Sequence, residues 1–270
     1  MQKLAILGPK GTYSDQAASL LEEGYEKLYY PNILKTLSMV DRETLALVPF
    51  ENTLDGFVME SMDYILKNKL RIVRQVKLDV DFYLVTYEKN LSDVNHLYVQ
   101  FKAYGQCQDF ILQHQLNPVI TQSNIESLHL LKAESKRGFA AIVPSHVDTQ
   151  EFSLVIKNIL GNVRDETRFV LVQQQMEIMD AEEYHCSLVI SPYSDEPGKL
   201  FSILKVFNDY QINLNSILSR PRKDKMGNYI FYLEFFISKG NIEVINEIKN
   251  RIEQQESCHL EVLGLYNKVE

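Results

Sequence analysis

The chain has 270 residues, 45% of them apolar and 24% charged, an ordinary globular balance with length enough for one large or two medium domains. A net charge of -8 excludes a general nucleic-acid or anionic-membrane surface, so an anionic ligand must be held by local cations and oriented amides. Three scattered cysteines (Cys107, Cys186, Cys258) lack metal-type spacing and fit a reducing cytoplasm, and no apolar run is long enough for a membrane span or a secretory signal.

Residues 3–7 are short and apolar, the pattern of a strand buried on both faces. Gly8-Pro9-Lys10-Gly11-Thr12-Tyr13-Ser14 breaks the strand, and residues 15–23 read as a helix capped by Ser14 and closed by Gly24. Strand, glycine-rich turn, hydroxyls and helix can build an anion site from backbone N–H groups, although the glycine spacing is not that of a Walker loop. Residues 44–48 predict a second buried strand, and Val58, Met62 and Ile65 stripe the helix that follows. Between them, in Val48-Pro49-Phe50-Glu51-Asn52-Thr53, the polar residues lie beyond a strand's carboxyl end, where ligands bind in open α/β sheets. Asn52 or Thr53 would serve equally as a cap for that helix.

Strands are expected at 70–76 and 82–86, then at 97–99, 118–121 and 139–143, with a helix at 103–113. Ser123-Asn124-Ile125-Glu126 is a capping box opening a helix that Gly138 ends. This alternation predicts a mostly parallel sheet divided between two α/β lobes. Thr167-Arg168-Phe169 puts a hydroxyl, a fixed charge and a ring at the entrance to Val170-Leu171-Val172. Strict alternation sends Thr167 and Phe169 to one face and Arg168 to the other, whereas a twist at the entrance would bring both polar groups to one cleft. A polar linker at 173–183 leads to a βαββαβ unit. Its strands are expected at 186–190, 213–218, 229–237 and 260–265, with a basic turn at 222–227. Leu200, Ile203, Leu204 and Phe207 stripe one helix, and Ile245, Ile248 and Ile252 the other. Exposed sheet edges would favour pairing with a second copy.

The blocks Gly8 to Ser14, Val48 to Thr53 and Thr167 to Phe169 resemble, in order, the three signatures of the prephenate dehydratases. The C-terminal unit resembles the ACT domain of those enzymes through Pro197-Gly198-Lys199-Leu200, Ile212-Asn213-Leu214 and Ser219-Arg220-Pro221. The resemblance covers nearly the whole chain and implies an α/β fold: a two-lobed catalytic region similar to type 2 periplasmic binding proteins, plus a ferredoxin-like ACT domain. It implies a catalytic region at 1–177 (lobe 1 at 1–77 and 160–177, lobe 2 at 78–159) and an ACT domain at 184–268. The implied reaction turns prephenate into phenylpyruvate with loss of carbon dioxide and water, without metal or cofactor. Inhibition by L-phenylalanine and assembly as a homodimer or homotetramer are implied too, with no nucleic acid or membrane as partner.

By the same resemblance Thr167 is aligned on the leaving hydroxyl. Glu51 is the alternative acid if burial raises its pKa, set against a plain carboxylate near a helix N-terminus. Arg168 is expected to clamp a carboxylate and Phe169 to wall the ring, while Gly11, Thr12, Ser14, Asn52 and Thr53 add contacts. Effector residues are expected at Pro197, Gly198, Leu200, Asn213, Leu214, Ser219, Arg220 and Pro221, Arg220 being equally an ordinary surface cation. The chain departs from the family pattern at Gln100-Phe101-Lys102, where His-Pro-Gln is usual, at Asp165, where Asn is usual, and at Leu218, where Glu is usual. A carboxylate at Asp165 would hold Arg168 or partly neutralise it. Competing readings are a non-catalytic metabolite sensor and a dehydratase acting on arogenate.

Overall fold

The structure is a computed structural model that describes residues 2–21, 24–161, 164–194, 196–222 and 228–267. Two compact units divide the chain: Met1–Met39, Ala46–Met62 and Val76–Phe169 form the first, and Val40–Leu45, Asp63–Gln75 and Val170–Glu270 the second. Among the described residues no helix is long and apolar enough to cross a membrane.

In the first unit β1 (Lys3–Leu7) is followed by α1 (Tyr13–Ser19), β2 (Glu26–Tyr30) and α2 (Ile33–Ser38). Next in the chain come β3 (Thr44–Asn52), β4 (Gly56–Phe57), α3 (Met59–Lys67) and β5 (Arg71–Val80), of which residues 44–45, 63–67 and 71–75 belong to the second unit. β1 and β2 run parallel, and with β11 (Asp165–Gln173) the order is β11-β3-β1-β2, β4 pairing with the end of β3. A separate five-stranded sheet has the order β10-β6-β9-β7-β8. It is built from β6 (Phe82–Thr86), β7 (His96–Gln100), β8 (Asn117–Thr121), β9 (Phe139–Pro144) and β10 (Leu154–Ile156). β7 is parallel to β8 and β9, whereas β6 is antiparallel to β9 and β10, so this sheet is mixed rather than mostly parallel. The continuous apolar runs reflect burial on both faces. Leu84, Ala140 and Ile142 pack into one core with Ala103 and Ile111, while Val85, Ala141 and Val143 pack into another with Leu128 and Leu131. Those partners come from α4 (Phe101–Gln106), α5 (Gln108–Gln113) and α6 (Asn124–Glu134).

Local chemistry moves several expected boundaries. Thr12, not Ser14, caps α1; Ser14 lies inside the helix and is buried, and α1 stops at Ser19 rather than running to 23, residues 22 and 23 lying outside the described residues. β2 and α2 carry too little apolar periodicity to be foreseen, β2 being only half-buried. β3 continues through Glu51 and Asn52, which are therefore strand residues rather than loop residues beyond a strand. Asn52 does not cap α3; its Oδ1 accepts from the N–H of Leu54 and of Asp55 (2.9 and 3.1 Å), turning the chain into β4. The helix expected at 103–113 breaks at Cys107 into α4 and α5. Ser123 Oγ accepts from Glu126 N–H (3.0 Å), as a capping box requires, but Glu126 reaches back to Gln122 N–H (2.6 Å), and α6 stops at the left-handed Ser135 instead of Gly138.

The second unit contains β12 (Glu183–Pro192), α7 (Lys199–Asp209), β13 (Leu214–Pro221), β14 (Tyr229–Ser238), α8 (Glu243–Gln255) and β15 (Cys258–Asn267). Their antiparallel order β13-β14-β12-β15 is the βαββαβ arrangement read from the helix stripes; positions 223–227 of the basic turn lie outside the described residues. Cys186, Leu188, Ile190, Leu233 and Phe235 meet Ile203 and Phe207 of α7 and Ile245, Ile248 and Ile252 of α8 in one core. β15 also runs parallel to β5 at Gly264 and Ile72, so closely that a Cβ on Gly264 would stand 2.4 Å from the Ile72 carbonyl oxygen. Gly264→Ala is therefore expected to cost roughly 1–3 kcal/mol of stability in urea unfolding, because the obstruction is backbone. Unchanged stability would mean the strands separate freely there.

Candidate active site

The end of β3 and the start of β11 meet through side chains separated by more than a hundred positions. Asn52 Nδ2 donates to Thr167 Oγ1 (2.9 Å) and also to Asp165 Oδ1. Gln106, at the last position of α4, donates to Asp165 Oδ2 (3.0 Å). Thr53 Oγ1 accepts from Glu166 N–H (2.9 Å), and its own N–H is bonded to the Glu166 carbonyl (3.0 Å). Asp165 and Thr167 are buried at 2% and 9% exposure. Burial pushes the Asp165 carboxyl above its ordinary range, against the lowering effect of the bonds from Asn52, Thr53 and Gln106. Cys107, between α4 and α5, is pushed up to about 12 by burial and by the Asp81 and Asp165 charges, so it is not a nucleophile.

Alternation along the strands separates the second polar pair from the first. Glu51 Oε2 accepts from Arg168 Nε (3.1 Å) and Nη2 (2.8 Å), and the guanidinium lies 5.3 Å from the Phe50 ring centre and 6.0 Å from that of Phe57. Arg168 is 4% exposed, so the clamp expected on a ligand carboxylate is engaged by Glu51 instead, and Asp165 binds the amides rather than standing in for that partner. The acid role for Glu51 depended on burial, and its side chain is 37% exposed. Phe169 lies in the interior at 2% exposure, so the wall expected of it is not on the accessible surface.

Thr12 and Ser14 line a hollow of about 240 Å³ together with Gln100, Ser123, Asn124 and Ile125. Gly11, at φ +89°, donates to Asp15 Oδ2 (2.9 Å), and its carbonyl meets His146 Nε2 (2.9 Å). α4 reaches toward both sets of residues, since Gln100 caps it beside the hollow and Gln106 ends it at Asp165, about 9 Å apart along the axis. Sequence reading missed Gln106 as a site donor and the start of α6 as a lining; the capping box at Ser123 was the available signal.

In the second unit Gly198, left-handed at φ +87°, caps α7. Gly198 and Leu200 line a hollow of about 200 Å³ with Pro192, Ser194, Lys199 and Tyr229. Pro197, Asn213, Leu214, Ser219, Arg220 and Pro221 are not among its lining residues. Arg220 Nη2 instead meets both Asp63 oxygens at 2.9 Å.

A hydroxyl, an amide and a carboxylate are thus gathered at a strand mouth, and a βαββαβ unit follows in the chain. The prephenate dehydratase family model matches residues 4–177, and the ACT domain model matches residues 193–256. The prephenate dehydratase of Methanocaldococcus jannaschii is 30% identical over 96% of this chain and 95% of its own. The solved prephenate dehydratase of Staphylococcus aureus is 27% identical with a TM-score of 0.82, covering 98% of this chain and 100% of that one. A prephenate dehydratase from Arthrobacter aurescens in complex with L-Phe has the same fold (TM-score 0.82, 24% identity, 98% of this chain and 90% of that one). The chain belongs to the prephenate dehydratase family, carbon–oxygen lyases of phenylalanine biosynthesis.

The buried Arg168 makes its pair with Glu51 a stability element. Arg168→Lys is expected to lower unfolding stability by roughly 2–4 kcal/mol, since lysine cannot reproduce two charge-assisted bonds and stacking together. Glu51→Ala should cost less, roughly 1–2 kcal/mol, because the carboxylate is partly exposed. Chemical denaturation of both variants reads the order, and the reverse order would refute it.

Proposed function

We propose that Thr167 is the hydroxyl that serves the departing oxygen of prephenate. In the reaction the bond from the ring to its carboxylate breaks and releases carbon dioxide, its electron pair enters the ring, and the ring C–O bond breaks with its pair on oxygen. One proton delivered from the site makes that oxygen water, so the sum is phenylpyruvate, carbon dioxide and water. Aromatisation drives the change, and the site has only to hold a dianion and serve one leaving group. The observation that carries the reading is the Asn52–Thr167 bond: Thr167 Oγ1 accepts an N–H, which leaves its own proton to be donated. The hydroxyls of Thr12 and Ser14 and the N–H groups opening α6 are suited to the carboxylates. Arg168 and Glu51 hold the strand mouth in shape.

The same reading takes the catalytic region as 1–177, with lobe 2 at 78–159, and the ACT domain as 184–268; the five-stranded sheet from β6 to β10 falls inside the span given to lobe 2. It has L-phenylalanine bind the βαββαβ unit beside Gly198 and Leu200 and inhibit, supported by the Arthrobacter relative bound to L-Phe. Inhibition is allosteric only if the ligand favours one arrangement of the protein over another. The edge strand β13, with alternate residues exposed, supports self-association as a homodimer or homotetramer. Three buried free thiols suit a cytoplasmic setting.

Purified protein given prephenate is expected to produce phenylpyruvate, with arogenate assayed in parallel to settle which substrate is preferred. Thr167→Ala should lower kcat by about 100-fold or more with KM changed little, as for a group acting in the transition state. Near-normal kcat would remove Thr167 from the chemistry. Isothermal calorimetry with L-phenylalanine should show saturable binding; a flat titration would end the regulatory part of the reading.

A further inference from the structure

Asp165 is a buried carboxylate whose recorded contacts are amides and a hydroxyl rather than a cation. Asn52 and Gln106 donate to it, Thr53 Oγ1 stands 3.5 Å from Oδ1, and it is 2% exposed. An ionised carboxylate can only accept. The Asn52 amide is thus fixed from both ends: its oxygen accepts from Leu54 and Asp55 N–H, and its nitrogen must face the carboxylate. Its remaining N–H reaches Thr167 Oγ1 at 2.9 Å. With that lone pair occupied, the Thr167 proton has to point elsewhere, and among the described residues no acceptor takes it. Were the amide to turn over, its oxygen would accept the Thr167 proton, and the hydroxyl would be lost as a donor.

We propose that Asp165 is a positioning residue: it locks the Asn52 amide so that Thr167 offers its proton to the ligand. The proposal rests on the reading of Thr167 given above and extends it to a side chain that touches no substrate. The charged and titratable groups that act on or near Asp165 are Asp55, which disfavours its ionisation, and the Cys107 thiol; Lys102, 3.7 Å from Asp55, partly offsets the former. Protonating Asp165 would give it a donor of its own and loosen the lock, so turnover falls on the acid side.

The test uses the full chain, with prephenate as substrate. Asp165→Ala is expected to lower kcat roughly 10- to 100-fold at nearly constant KM, because the donor geometry and not the binding is disturbed. Asp165→Asn keeps a carbonyl oxygen facing Asn52 and should hold kcat within about 3-fold while losing the acid limb of the kcat–pH profile that the carboxylate causes. Unchanged kcat in Asp165→Ala overturns the proposal, as does an Asp165→Asn profile that keeps the native acid limb; the second decides if the alanine variant does not fold. Should Thr167→Ala retain kcat, the reading of Thr167 has failed and the proposal falls with it. A low Thr167→Ala with a normal Asp165→Ala sinks the positioning role alone.

Discussion

A side-chain amide has two acceptor and two donor positions, and the structure occupies all four on Asn52. Two backbone N–H groups of the turn after β3 take the oxygen, and Asp165 and Thr167 take the nitrogen. The turn orients the amide, and the amide ties β3 to the mouth of β11. Such saturation matters on the side of the buried Asp165 and Thr167, where an unmade hydrogen bond costs about 1–3 kcal/mol; on the exposed side of Leu54 and Asp55 water could replace it. Local backbone geometry is thereby coupled to the direction of the Thr167 hydroxyl proton. Thr53 adds a second tie one residue later, exchanging bonds with Glu166 through backbone and hydroxyl.

One residue on in β11 and one residue back in β3, the problem is a buried cation. Arg168 is nearly inaccessible, and its guanidinium is placed between a carboxylate and the faces of two aromatic rings. The planar, weakly hydrated guanidinium tolerates that setting in a way a lysine ammonium does not. Glu51 can serve it because neighbouring residues in a strand point to opposite sides, just as Asn52 serves Thr167. Two adjacent residues on each strand thus build two separate polar pairs, Glu51 with Arg168 and Asn52 with Thr167.

Much of this was readable before any coordinates. The βαββαβ unit declared itself through helix stripes at three- and four-residue spacing, which only a helix lying on a sheet explains. The capping box at Ser123 marked the start of α6, which then proved to line the hollow beside Thr12 and Ser14. What escaped was direction. Thr167-Arg168-Phe169 names the residues at a strand mouth, but whether Arg168 turns to ligand or to interior depends on Phe50, Phe57 and Glu51, which no local pattern links to it. The length of β3 was hidden for a related reason: Pro49 and Glu51 look like a turn, and pairing with β4 overrides that propensity. β2 and α2 are amphipathic only weakly, so tertiary packing rather than periodicity decides them.

The ACT-type unit shows how the same rule works on a whole sheet. Residues of β12 and β14 alternate between a helix-covered apolar face and a second face on which His185, Ser187, Tyr232 and Glu234 are also buried. On that second face Glu234 accepts from Ser187 and Tyr232, with Tyr266 3.4 Å away, while His185 Nδ1 meets the Gln75 side chain at 3.2 Å. A two-residue slip would keep the apolar residues facing the helices, so apolar contacts alone discriminate weakly against it. A carboxylate surrounded by hydroxyls from three strands is satisfied at one register only, since a two-residue slip of any one strand would part it from a partner on another. The parallel contact of Gly264 with Ile72 allows equally little play. Elements of this kind hold discrete arrangements rather than yield continuously.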